Sequence, residues 1–197
     1  MVITAAVEGL IDEAMVRRLC EHIGVEVGRV HGKNGKGYLH ERIAGYNNAA
    51  RFSPWIVLVD LNREADCPPP LRAGWLPEPA PNMCFRVVVR TVESWLFADR
   101  DRLARFLGFR TAQIPGDPEA VDDAKRTMVE VARHSRRRDV RQDMVPRPGS
   151  GSAVGPAYTS RLIEFVATHW RPEVAARSAE SLQRAFTSLR GVVEGAR

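Results

Sequence analysis

Apolar positions change their period several times along the first hundred residues, and each change predicts a new element. Val2–Val7 is a short apolar run that stops at Glu8-Gly9. From there the apolar residues fall at Leu10, Ile11, Ala14, Met15, Leu19 and Ile23, one face of a helix. Asp12 and Glu13 sit in its first turn, where the helix dipole favours acids, and Gly24 lies past its end. Val25, Val27 and Val30 alternate as in a second strand. The Gly-rich stretch "HGKNGKGY" (His31–Tyr38) reads as a loop, and "LHERIAGYNNAAR" after it as a weaker helix broken at Gly45.

"WIVLVDL" (Trp55–Leu61) predicts a third strand, too uniformly apolar to be half-exposed, as expected inside a parallel sheet. "CPPPLRAGWLPEPAP" is too rich in proline for regular structure. Cys84–Arg90 is the fourth strand. It leads into "TVESWLFADRDRLARFLG", a helical pattern with Trp95 and Leu96 facing inward and Asp99 facing solvent or a neighbouring base. Strands alternating with helices argue for βαβ units. The expected fold class is therefore α/β, a Rossmann-type sheet of about four mostly parallel strands flanked by helices.

The texture changes after about Gly108. Asp117-Pro118 reads as the N-cap and first-turn proline of a helix running to about Arg136. "PRPGSGSAVGP" (Pro146–Pro156) reads as a loop, followed by helices near Thr159–His169 and Pro172–Val193. This predicts a core over residues 1–110 and a helical extension over 111–197 that packs on it.

Composition narrows the class. Apolar residues make up 44% and charged residues 27% of 197, ordinary for a globular protein. No apolar run approaches the roughly 20 residues of a membrane span, and the N-terminus lacks the basic start of a signal peptide. The expectation is a cytoplasmic protein without membrane association. Cys20, Cys67 and Cys84 show no CxxC spacing, and His31, His40 and His134 show no metal spacing. The net charge of +5 is mild but uneven: Lys125–Arg147 holds eight bases against three acids. Within it, Lys125, Arg126, Arg136 and Arg137 are candidates for contact with a nucleic acid, weighed against a plain solvated helix end.

The chemistry-bearing pattern is acidic. Glu8 follows strand one, Asp60 ends strand three, and Glu93 opens the helix after strand four. A parallel sheet binds ligands outside the carboxyl ends of its strands. Carboxylates gathered there repel one another unless a cation or protons intervene, and oxygen ligands suit Mg²⁺ or Mn²⁺. Lys33 and Lys36 in "GKNGKG" are placed to contact phosphate, although Gly37 after Lys36 excludes a Walker A loop.

"VEGLIDE", "IVLVDLN" and "VESWLFAD", in this order, resemble a TOPRIM domain. The match extends through "GKGYL", "AGYNNAAR", "PRPGSGSAVGPAYTSRLIEFV" and "SLQRAFTSLR". The family it resembles is a bacterial TOPRIM-like family of unknown function, related in its core to the nucleases of the OLD group. The resemblance implies a Mg²⁺- or Mn²⁺-dependent nuclease acting on DNA or RNA, with Glu8 as acid-base group or ligand and Asp60 as metal ligand. Asn62 stands where the second aspartate of the D-x-D motif belongs, which leaves a carbonyl ligand but removes a charge. The resemblance further implies a bacterial defence or toxin setting and an ATPase partner protein. The alternative is a catalytically silent binding or assembly module, in which Asn62 marks a lost metal site.

Overall fold

The computed structural model describes residues 1–196, which fall into two compact units. The first comprises Met1–Val92 with the segment from Glu180, and the second spans Glu93–Ala179. The division thus falls at Val92 and Ala179 rather than near residue 110. The reason is local: the last helix packs on the sheet and belongs with it.

The first unit is built on strands β1 (Val2–Val7), β2 (Glu26–Gly32), β3 (Trp55–Asp60) and β4 (Met83–Val88), all parallel, in the spatial order β2-β1-β3-β4. Helix α1 (Leu10–His22) connects β1 to β2, and α2 (Lys36–Ala49) returns the chain past β1 to β3. Helix α3 (Pro68–Trp75) links β3 to β4. This is an α/β, Rossmann-like arrangement, as the alternating pattern predicts.

Both faces of the sheet are covered, which explains the unbroken apolar run of β3. Val57, Val59, Phe85 and Val87 form one core with Leu39, Ile43 and Tyr46 of α2 and Leu71 of α3. Against the other face lie α1 and α10 (Glu180–Gly195), linked by the rings of His22 and Phe186 at 5.5 Å. Cys84 of β4 meets Ser188 of α10 at 3.5 Å. Trp55 through Val59 are each at most 7% exposed, and burying each such side chain contributes about 1.5–3 kcal/mol.

Two local expectations fail within this unit. Helix α2 runs through Gly45 without interruption, because the buried Leu39, Ile43 and Tyr46 hold its inner face. The proline-rich stretch contains α3, since prolines at the first helical positions have no amide hydrogen to lose.

The second unit is helical: α4 (Val92–Ala98, counted from Glu93), α5 (Arg100–Leu107), α6 (Ala124–Arg133), α7 (Arg138–Met144), α8 (Tyr158–Thr168) and α9 (Pro172–Ala175). Trp95, Phe97, Tyr158, Phe165 and Trp170 are buried in it. The predicted helix over Thr91–Gly108 breaks at Asp99. This carboxylate faces the neighbouring base Arg171 rather than solvent, accepting from its Nη2 at 2.6 Å with no exposed side-chain surface. The helix expected from Asp117 begins instead at Ala124. Asp123 caps it by accepting from Arg126 N at 2.9 Å, while Asp117 holds a turn through Glu119 N and Ala120 N. Among the described residues, no helix is long and apolar enough to cross a membrane.

Candidate active site at the carboxyl rim of the sheet

The strand order decides where a site can form. From β1 the chain turns one way to β2 and then crosses back to β3, so the β1/β3 pair is the topological switch point, where open α/β sheets carry their crevice. Val7 pairs with Leu58, so Glu8 and Asp60 leave their strands on either side of that point. Glu8 Oε1 accepts the backbone N–H of Asp60 at 2.7 Å. Residues 52 positions apart thus touch, through the carboxylate of one and the backbone amide of the other.

The glycine-rich loop is anchored to the same rim. Lys33 N donates to Val7 O at 2.8 Å, and Gly35 N donates to Glu8 O at 3.1 Å. Lys36 reaches across to β3: its Nζ donates to Asp60 O at 2.6 Å and pairs with Glu64 at 2.8 Å. Lys33 Nζ pairs with Glu13 at 3.1 Å. Burial alone would raise the Glu13 carboxyl, but hydrogen bonds from Lys33 and Arg17 outweigh it and hold the group below its ordinary range. Both lysines therefore sit at the rim, already engaged by protein oxygens that a phosphate would have to displace.

Backbone strain concentrates here too. Among the described residues, the non-glycine residues with positive φ are Lys33 (67°), Asn62 (54°) and Arg90 (62°), which follow β2, β3 and β4 respectively. Each such conformation costs on the order of 1–3 kcal/mol and persists only where surrounding structure fixes it. Asn62 and Arg90 fix each other: Asn62 N donates to Arg90 O at 2.7 Å, and Arg90 Nη1 approaches Asn62 O at 3.4 Å.

Sequence reasoning passed over two rim residues. Asp12, which the sequence places in a helix's first turn, is only 5% exposed, and its Oδ2 would lie 3.2 Å from a Cβ placed on Gly9. Its sequence signal was its position four residues after Glu8, on the first turn of α1. Arg90 read only as the end of a strand.

The remaining candidates lie elsewhere. Glu93 belongs to the second unit, is 1% exposed, and accepts from Tyr158 Oη at 3.0 Å. Burial, followed by the Glu93 charge, pushes the Tyr158 phenol well above its usual range. Lys125 and Arg126 are exposed on the first turn of α6. Arg137 is turned to the protein itself, donating to Phe106 O at 2.9 Å and pairing with Asp139 at 2.6 Å. Arg136 is exposed and lines a recess. Among the described residues, no group of three or more His, Cys, Asp and Glu side chains is placed to hold a metal ion. Comparisons with family models, curated proteins and solved structures give no match to this chain.

Proposed function

We propose that the protein is a metal-dependent phosphodiesterase of TOPRIM type that cleaves DNA or RNA at the β1/β3 rim, in the cytoplasm, as a subunit beside an ATPase partner in a bacterial defence or toxin system. One observation carries the reading: the Glu8 and Asp60 carboxylates leave adjacent strands at the switch point, with Glu8 oriented by the Asp60 amide at 2.7 Å. Three strained residues around the same edge support it.

The donors present suit one Mg²⁺ or Mn²⁺ and do not suit two. Mg²⁺ commonly takes one or two protein carboxylates and completes its shell with water and phosphate oxygens. Asp60 and the side-chain carbonyl of Asn62 would hold it, with Glu8 kept for proton transfer rather than as a ligand. When bound, the ion would make a water easier to deprotonate and would stabilise charge on the phosphate. Glu8 takes the proton from the attacking water, its carboxylate aimed by the Asp60 amide. Lys33 and Lys36 exchange their contacts with Glu13 and Glu64 for substrate phosphates. Glu93, hydrogen-bonded to Tyr158 in the other unit, has no part in this chemistry.

A silent binding module is the second reading, favoured by the missing third acid and by Asn62 in place of an aspartate. Plasmid nicking and RNA cleavage in Mg²⁺ or Mn²⁺ separate the two. The nuclease reading expects Glu8→Gln and Asp60→Asn each to lose about 100-fold or more in rate. Equal rates in all three proteins, or no cleavage with either metal, would refute it. Calorimetry without saturable Mn²⁺ binding would then leave the binding module.

A further inference from the structure

The second unit contains a recess of about 390 Å³ lined by Phe109, Arg110, Ala112, Gln113, His134 and Arg136. Its size falls within the roughly 300–1,000 Å³ of small-molecule sites. None of the lining side chains is acidic. Two arginines, a histidine and a phenylalanine line it, a combination that attracts an anion carrying a flat apolar body. Gln113 adds to the donors: its Oε1 already accepts Arg110 N at 2.9 Å, leaving the amide NH₂ to give.

The walls are built rather than casual. Arg136 N donates to Gly108 O at 2.8 Å, and Ser135 Oγ donates to Leu107 O, so the segment after α6 is tied to the end of α5. Arg137 Nη1 adds a bond to Phe106 O at 2.9 Å. Gly108 makes the close approach possible, since a Cβ there would meet Arg137 Cγ at 2.8 Å. These bonds fix the backbone next to Arg110 and Arg136.

We propose that this recess binds the terminal phosphate monoester of a nucleotide, with Arg110, Arg136 and His134 on the phosphate, and Phe109 and Gln113 towards the base. The site lies wholly within the second unit and does not depend on the rim chemistry. A free mononucleotide and the 5′ end of a strand offer the same group, and the test separates them.

Fluorescence anisotropy of the full chain in EDTA would compare a labelled hexathymidylate bearing a 5′-phosphate with its 5′-hydroxyl counterpart. Thymidine 5′-monophosphate, thymidine and inorganic phosphate serve as competitors. The expected result is at least about fivefold tighter binding of the phosphorylated strand, with competition by the monophosphate and not by thymidine. Arg110→Gln and Arg136→Gln should each remove that preference, and each should flatten the salt dependence by about one unit. Arg133→Gln, at an exposed arginine paired with Glu130 outside the recess, should keep it. A monophosphate as tight as the strand assigns the free nucleotide, and a tighter strand assigns the strand end. Equal binding of the two strands, equal losses from Arg133→Gln and Arg136→Gln, or inorganic phosphate competing as well as the monophosphate would overturn the proposal. EDTA removes any metal-dependent cleavage, so failure here is distinct from failure of the nuclease reading.

Discussion

Replacing Gly32 by alanine tests whether the turn that carries Lys33 and leads into α2 at Lys36 is locked to the rim by its backbone. Gly32 ends β2 with φ at +86°, and a Cβ there would lie 2.3 Å from Val7 O and 2.8 Å from Leu39 Cδ2. Val7 O is not free to retreat, because it accepts Lys33 N at 2.8 Å. Two penalties therefore add. Left-handed backbone costs alanine about 1–2 kcal/mol. Forcing a methyl group against fixed backbone adds roughly 1–3 kcal/mol. The sum is about 2–5 kcal/mol, a large share of the 5–15 kcal/mol that holds a typical domain together. Two other glycines separate the terms. Gly24 has φ at +73° with nothing within 4 Å of a Cβ, so Gly24→Ala should show only the strain. Gly45 lies inside α2 with open space around it, so Gly45→Ala should stabilise by about 0.5–1 kcal/mol. Urea unfolding followed by circular dichroism gives all three values, provided the slope with denaturant is unchanged. A Gly32→Ala protein no less stable than Gly24→Ala would refute the steric account and, with it, the locked loop.

Two further outcomes follow from buried groups. Arg171→Ala leaves the fully buried Asp99 carboxylate without its Nε and Nη2 donors, at 3.1 and 2.6 Å. Breaking a buried pair costs about 3–5 kcal/mol, and the partial exposure of Arg171 lowers the expectation to about 2–3 kcal/mol. Arg171→Lys should recover less than half, lacking the two-pronged geometry, and a cost below about 0.5 kcal/mol in the alanine variant would contradict the assignment. Burial pushes the thiols of Cys20 and Cys84 up to about 12 and about 11, whereas Cys67 is exposed. A disulfide reagent at pH 8 should therefore label one cysteine promptly in the native protein and all three in urea, because the thiolate is the reactive form. Prompt labelling of a second thiol in the folded protein would show that the interior is more open than described.

The parts of the fold legible in the sequence were those whose pattern matched their environment. Trp55–Val59 is apolar at every position because both faces of β3 are covered, so its run announced a parallel-sheet strand. The spacing from Ile11 to Leu19 announced α1 because only one side of that helix is buried. The pattern misled where a residue's usual role was overridden. Gly45 did not stop α2, because its buried inner face outweighed intrinsic propensity, and Pro68–Pro70 opened a helix, because the first helical positions need no amide hydrogen.

By itself the sequence determined that β1 and β3 each hand their carboxyl end to an acid, Glu8 and Asp60, since that depends only on adjacency along the chain. Which acids became neighbours was decided by the order β2-β1-β3-β4 and its register, which rest on contacts between distant segments. The same order set Arg90 against Asn62. Glu93, which opens the helix after β4, went instead to Tyr158, 65 residues away. A carboxylate's partners are chosen through space, and the chain alone records only its position along the line.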